Sequence, residues 1–168
     1  MSELVRTVHV LCPVSQAKMH LDSYFDGHTH DLPNGEKSTD IMLKAPGFPG
    51  GATLQRNVDV KIERHKHPVD AFDTISVEWA VPGVNFYPKF HGTLNVEGSD
   101  DYNSFTLALR GAYNPPGGLV GEVFDIAVGH RIAEATADHL LNEIRDSIER
   151  DFHKVEAGKR KDPSQPLH

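Results

Sequence analysis

Cysteine is all but missing. Cys12 is the single one in 168 residues, which excludes an internal disulfide, a cysteine-pair zinc site and a Cys-x-x-Cys redox motif. A reducing cytoplasm fits that usage and is the compartment expected. Basic excess is missing as well: 17 Lys and Arg stand against 24 Asp and Glu, a formal charge of -7. Phosphate backbones are held by a broad basic footprint, so no nucleic-acid partner is expected. Long apolar runs are absent. Uncharged stretches such as residues 79–88 are short and broken by Pro or Gly, far below the roughly 20 apolar residues of a membrane span. Near the N-terminus Glu3, Arg6 and His9 interrupt the apolar residues too early for a signal-peptide core. Gly47, Gly50 and Gly51 are followed by no Gly-Lys-Ser/Thr and lie in no parallel βαβ pattern, so they make turns rather than a phosphate loop. No cofactor is expected.

What is present is alternation. In residues 54–62, Leu54, Val58, Val60 and Ile62 share one parity while Gln55, Asn57, Asp59 and Lys61 take the other. Ile75, Val77, Trp79 and Val81 alternate with Thr74, Ser76 and Glu78; Phe86, Phe90, Leu94 and Val96 with Tyr87, Lys89, His91 and Thr93; Phe105, Leu107, Leu109 and Tyr113 with Ser104, Thr106 and Arg110. Period two is the mark of strands with one wet face. The spacers His67-Pro68, Pro82-Gly83 and Gly98-Ser99-Asp100-Asp101 are hairpin-length, which makes neighbours antiparallel. Residues 4–10 read as an earlier strand ending at Cys12-Pro13. A short helix follows, capped by Ser15, with Ala17, Leu21, Tyr24 and Phe25 at helical spacing before Gly27. Residues 27–51 read as loop around one apolar island, Ile41, Met42 and Leu43, in a short strand or helix.

The dry face of that meander needs a cover. After Asn114-Pro115-Pro116-Gly117-Gly118, residues 119–152 hold no proline and read as one helix, or two in line, of up to about 50 Å. Ala137, Leu140, Leu141, Ile144, Ile148 and Phe152 form a stripe opposite Asp138, Asn142, Asp146 and Glu149. Before it, Val120, Val123, Phe124, Ile126, Val128 and Ile132 spread around more than one side, so this end is expected to be the more deeply covered. The class is α+β: an antiparallel sheet wrapped around a long C-terminal helix, with a short N-terminal helical segment. One domain spans residues 1–153, and residues 154–168, without apolar period, are expected to be a disordered basic tail.

This order resembles the START-like, or SRPBCC, superfamily, whose helix-grip fold is also that of aromatic polyketide cyclases. The stretch Arg110-Gly111-Ala112-Tyr113-Asn114-Pro115-Pro116-Gly117-Gly118, followed by Val128-Gly129-His130-Arg131-Ile132-Ala133-Glu134-Ala135-Thr136, is similar to the strand-to-helix passage of uncharacterised bacterial members. Val8-His9-Val10-Leu11-Cys12-Pro13-Val14 is similar to their first strand and helix start. The likeness covers most of residues 4–150 and is weakest over residues 28–51, where the superfamily's second helix closes a cavity mouth. It implies a pocket between sheet and helix for an apolar or amphipathic small molecule. Fold transfers shape better than chemistry.

Trp79, Phe90, Phe105, Tyr113, Phe124 and Val128 are the candidate walls of such a pocket; equally, residues of these types fill cores. Arg56 shares the apolar parity of Leu54 and Val58, where an unpaired guanidinium is costly, so it is either exposed at the strand end or meets a carboxylate of protein or ligand. His130 falls on the buried stripe of the helix, to orient a ligand or simply to sit satisfied in the core. Cys12 is read as a small buried residue. Phe25-Asp26-Gly27-His28-Thr29-His30-Asp31 resembles the His-x-His strand end of metal-dependent amidohydrolases, but their barrel takes typically about 250 residues. His65 and His67 would complete a metal site with His28 and His30 only if those loops met; no metal is expected. The leading expectation is a binding or carrier domain for a hydrophobic small molecule, monomeric or weakly dimeric. The alternatives are a cyclase, dehydratase or hydrolase using Arg56 or His130, and a protein-interaction module built on residues 120–132.

Overall fold

The computed structural model describes residues 2–45, 56–65, 74–81, 88–114 and 126–161. Seven strands, β1 (Ser2–Val10), β2 (Thr29–Asp31), β3 (Lys37–Ala45), β4 (Arg56–His65), β5 (Thr74–Ala80), β6 (Lys89–Gly98) and β7 (Phe105–Asn114), form one antiparallel sheet in the order β1-β7-β6-β5-β4-β3-β2. Two helices, α1 (Ala17–Asp26) and α2 (Ile126–Lys161), complete the architecture. Period-two alternation sets the faces: Val58, Val60, Ile62, Ile75, Val77, Trp79, Phe90, Leu94, Leu107, Leu109 and Tyr113 are all buried. Leu54 and Phe86 of the same pattern lie outside the described residues.

α2 lays Ala133, Ala137, Leu140, Leu141, Ile144 and Ile148 into that core. It comes nearest to β1, β3 and β7 and stands farther from β4, β5 and β6. A sheet that touches a helix with strands from both flanks, yet holds back in its middle, is curled around it. Long side chains of the middle strands fill the difference.

A glycine pair lies in the middle of the sheet. Gly92 and Gly111 face each other across β6 and β7. A Cβ on Gly92 would collide with the Arg110 carbonyl and sit 2.5 Å from Phe90 Cζ; one on Gly111 would collide with the His91 carbonyl and sit 2.8 Å from the same ring atom. Phe90 therefore lies flat over a strip of bare backbone, an aromatic ring covering glycines that have no side chain to pack.

Three local readings change. Ser15 sits inside a one-turn 3-10 segment, Val14–Gln16, and α1 begins after Gln16 with no side-chain cap. The Gln16 N–H is satisfied by the Pro13 carbonyl instead, at 2.9 Å. The described part of the weakly patterned stretch is a hairpin, β2 to β3, turning at Gly35 with φ of +85°; Ile41 and Leu43 point in while Met42 is exposed. α2 also continues past Phe152 to Lys161, through residues that lack an apolar stripe. Glu, Ala and Lys are good helix formers, and the Glu156–Lys159 pair at 3.2 Å adds a surface contact. Residues 119–125 and 162–168, parts of the expected helix and tail, lie outside the described residues.

Gly111→Ala forces the β6–β7 backbone apart beneath Phe90. The expected loss is about 1–3 kcal/mol of unfolding free energy, the usual range for overpacking, read by urea denaturation. An unchanged midpoint would show that the strands tolerate a Cβ there.

Candidate functional site

Strand register lines up one row across the inner face. Ile41 pairs with Val60, Val60 with Trp79, Trp79 with Phe90 and Phe90 with Tyr113. Trp79 and Phe90 stack with ring centroids 4.1 Å apart and planes 17° from parallel, and the Trp79 indole N–H donates to the Pro88 carbonyl at 3.2 Å. Both residues also border a groove of about 410 Å³, but its other walls, Lys61, Glu78, Lys89, His91 and Asn114 among them, have the outward parity, so this groove lies on the outer face of the sheet, away from α2.

At Tyr113 the row becomes polar. The phenol oxygen lies 2.8 Å from His130 Nδ1, and His130 Nε2 lies 3.1 Å from Glu134 Oε1. With Glu134 ionised, Nε2 carries the ring proton and Nδ1 accepts from the Tyr113 hydroxyl. Glu134 in turn lies 3.5 Å from Arg6 Nη1, and Arg6 donates through Nε and Nη2 to the two oxygens of Asp138 at 2.7 and 2.6 Å. Residues 130, 134 and 138 are spaced one turn apart, so they form one edge of α2. Arg6 meets them because it shares the inward parity of Leu4, Val8 and Val10 on β1. The hydrogen bond to Asp138 holds the Arg6 guanidinium above its ordinary pKa.

Of the expected wall residues, Trp79, Phe90 and Tyr113 adjoin one another, and His130 joins them. His130 is not on the buried stripe: its side chain is 44% exposed, because it stands at the helix edge facing β1 and β7. Phe105 is buried at the opposite end of β7, beside Val10 and Gly98, roughly 26 Å from Tyr113 at about 3.3 Å per residue. Val128 lies in the first turns of α2 and Arg56 opens β4 opposite Ala45, but their side chains, and Phe124 altogether, lie outside the described residues. Arg6, Glu134 and Asp138 escaped the sequence reading. The parity argument applied to Arg56 applies equally to Arg6 and would have found it.

The histidines do not converge. His28 Nδ1 lies 2.8 Å from the Tyr24 carbonyl, His30 pairs with Asp40 at 3.3 Å and His65 with Glu63 at 3.8 Å; His67 lies outside the described residues. Among the described residues no group of three His, Cys, Asp or Glu side chains is arranged to hold a metal. Cys12 is fully buried. Burial, helped by Glu149, pushes its thiol up from 9.0 to about 11, which suppresses the thiolate a nucleophile needs.

No family model matches the sequence, and no curated protein does. Solved structures do match. A conserved protein from Geobacillus kaustophilus superposes with a TM-score of 0.57 at 13% identity, over 92% of this chain and 97% of its own. A START superfamily protein from Mycobacterium smegmatis gives 0.45 at 12% identity over 91% and 98%. The Zhui aromatase/cyclase from Streptomyces sp. R1128 gives 0.52 at 13% identity over 99% of both chains. The fold is a helix grip, shared with the Geobacillus protein and the aromatase/cyclase. Among the described residues no helix is long and apolar enough to cross a membrane.

Two outcomes test the site's electrostatics. Arg6 and Asp138 are each more than a third exposed, so solvent screening limits their coupling despite the two-pronged geometry. A double-mutant cycle with Arg6→Met and Asp138→Asn should give a coupling of up to about 1 kcal/mol that shrinks in salt; zero coupling at low salt would reject the pair. For Cys12, the folded thiol keeps its proton where the unfolded one loses it, so its contribution is full below about pH 9 and lost as pH rises to about 11. Cys12→Ala should flatten the alkaline fall of stability across that window, measured by urea melts.

Proposed function

We propose that the chain binds a hydrophobic or amphipathic small molecule, with its apolar body against the Trp79–Phe90–Tyr113 row and its polar end at the Tyr113–His130 pair. The observation that carries this reading is the junction itself: on the inner sheet face a stacked aromatic pair adjoins Tyr113, whose hydroxyl opens a hydroxyl–imidazole–carboxylate line. Apolar walls supply affinity and a few convergent polar groups supply orientation. That a protein described as an aromatase/cyclase shares the fold supports a small molecule as the occupant.

The alignment of Glu134, His130 and Tyr113 favours a second reading, catalysis on the bound molecule. In that case His130 Nδ1 takes the Tyr113 hydroxyl proton as the phenol oxygen takes one from the ligand, and Glu134 stabilises the imidazolium that forms. His130→Asn then abolishes turnover while binding persists.

Trp79 is the chain's only tryptophan, so its emission reports on the row without labelling. Protein purified from its own cells should carry a small molecule in native mass spectrometry. After its removal, 2-naphthol should change the Trp79 emission saturably, and Tyr113→Phe should weaken that binding by roughly tenfold, the worth of one good hydrogen bond. Phe105→Leu, at the far end of β7, should leave it unchanged. A chain that is always recovered empty, with no saturable response at Trp79, would sink the proposal.

A further inference from the structure

The hydrogen bond between Tyr113 and His130 has a direction, and the direction is set elsewhere. Glu134, as a carboxylate, accepts hydrogen bonds and donates none. Its Oε1 lies 3.1 Å from His130 Nε2, so the neutral ring keeps its one proton on Nε2 and leaves Nδ1 an acceptor. The Tyr113 hydroxyl, 2.8 Å from Nδ1, is therefore the donor of that bond. It has a single hydrogen, and that hydrogen is engaged. The phenol oxygen keeps lone pairs, and among the described residues it has no hydrogen-bond partner but His130.

The carboxylate that sets this direction is itself held. Glu134 Oε1, the oxygen that faces His130, is also the one 3.5 Å from Arg6 Nη1. Arg6 is held in turn through Nε and Nη2 by the two oxygens of Asp138, at 2.7 and 2.6 Å, a two-pronged contact that fixes the plane of a guanidinium. The other nitrogen's hydrogen bond decides which nitrogen of an imidazole carries the proton, so β1, through Arg6, braces a tautomer whose effect is felt on β7.

We infer that the bound molecule meets Tyr113 with a hydrogen-bond donor, a hydroxyl or an N–H, and that Glu134 sets this preference through the His130 tautomer with Arg6 holding it in place. This rests on the small-molecule reading of the Trp79–Phe90–Tyr113 row and adds the polarity of the ligand's polar atom. An alcohol, a phenol or an amide N–H fits. A ketone or ether oxygen meets a lone pair with no hydrogen between, and turning the hydroxyl toward it would leave Nδ1 without its donor. Tyr113 is buried, where bulk water does not repair an unmade bond. Tyr113 makes the contact; Glu134 and Arg6 are positioning residues.

Three probes share one shape and differ in the atom they offer: 2-naphthol, 2-methoxynaphthalene and 2-ethylnaphthalene. Binding is followed at the Trp79 indole N–H signal by NMR, a single peak because the chain holds one tryptophan. Wild type should bind 2-naphthol roughly tenfold tighter than 2-methoxynaphthalene, and 2-methoxynaphthalene no tighter than 2-ethylnaphthalene. Nitrogen NMR of the free protein should show His130 protonated at Nε2 and bare at Nδ1. Glu134→Ala should move part of that proton to Nδ1 and shrink the gap between the naphthol and its ether, Arg6→Met should act in the same direction, and Tyr113→Phe should make the three probes alike. A wild-type ring with its proton on Nδ1 would overturn the inference before any probe is added. Equal binding of 2-naphthol and 2-methoxynaphthalene to wild type would overturn it too, while leaving the ligand site standing. A Glu134→Ala protein that keeps both the wild-type tautomer and the wild-type gap would overturn the role of Glu134. If none of the three probes moves the Trp79 signal, the small-molecule reading falls and takes this inference with it.

Discussion

Because Gly92 and Gly111 oppose each other across β6 and β7 with no side chain between them and the Phe90 ring, that ring can approach the bare backbone, and the aromatic row follows from this contact. Phe90 lies flat on the bare backbone, Trp79 stacks on Phe90, and the row ends at Tyr113. Around that row, strands from both flanks reach α2 while the middle strands stay back. A flat sheet would meet one helix along a single line, and its middle strands would have nothing to leave room for. Aromatic bulk in the middle and close approach at the sides are two results of one geometry.

The polar line from Tyr113 to Asp138 is set by different arithmetic. Tyr113 at its inner end is buried, whereas His130 is 44% exposed and Glu134, Arg6 and Asp138 about a third exposed, so only the phenol is sheltered from water. At the buried end an unmade bond is costly; at the exposed end water substitutes for a lost partner. That contrast makes the Tyr113 hydroxyl the member that most needs its partner, while the ion pairs beyond His130 orient the helix edge.

Local chemistry made much of this fold legible. The parity of Val58, Val60 and Ile62, of Ile75, Val77 and Trp79, and of Leu107, Leu109 and Tyr113 names strands and their inner faces before any coordinates, and the stripe from Ala137 to Ile148 names the covering face of α2. Pairings between distant segments were hidden: nothing in residues 2–10 announces β7 as their partner, and nothing near Thr29 announces a three-residue strand. Loop closure joins such segments, and periodicity is silent about it. His130 went astray for a related reason. Helical spacing gives an angle around α2, but whether that angle faces the core or its rim depends on where β1 and β7 end. Arg6 was open to discovery by parity alone. The direction of the Tyr113–His130 hydrogen bond was not, since it is known only once every neighbour is known.

β1 is a nine-residue edge strand, and a free edge invites another chain to add to it. Arg6 points inward from the middle of that edge and is bound to Asp138 of α2. A strand arriving from outside would have to bring its own neighbour into the space beside that guanidinium, where an apolar side chain is unwelcome. The contact that ties α2 to the sheet thus also guards the sheet's border, making the seating of the helix and the closing of an edge two readings of one ion pair.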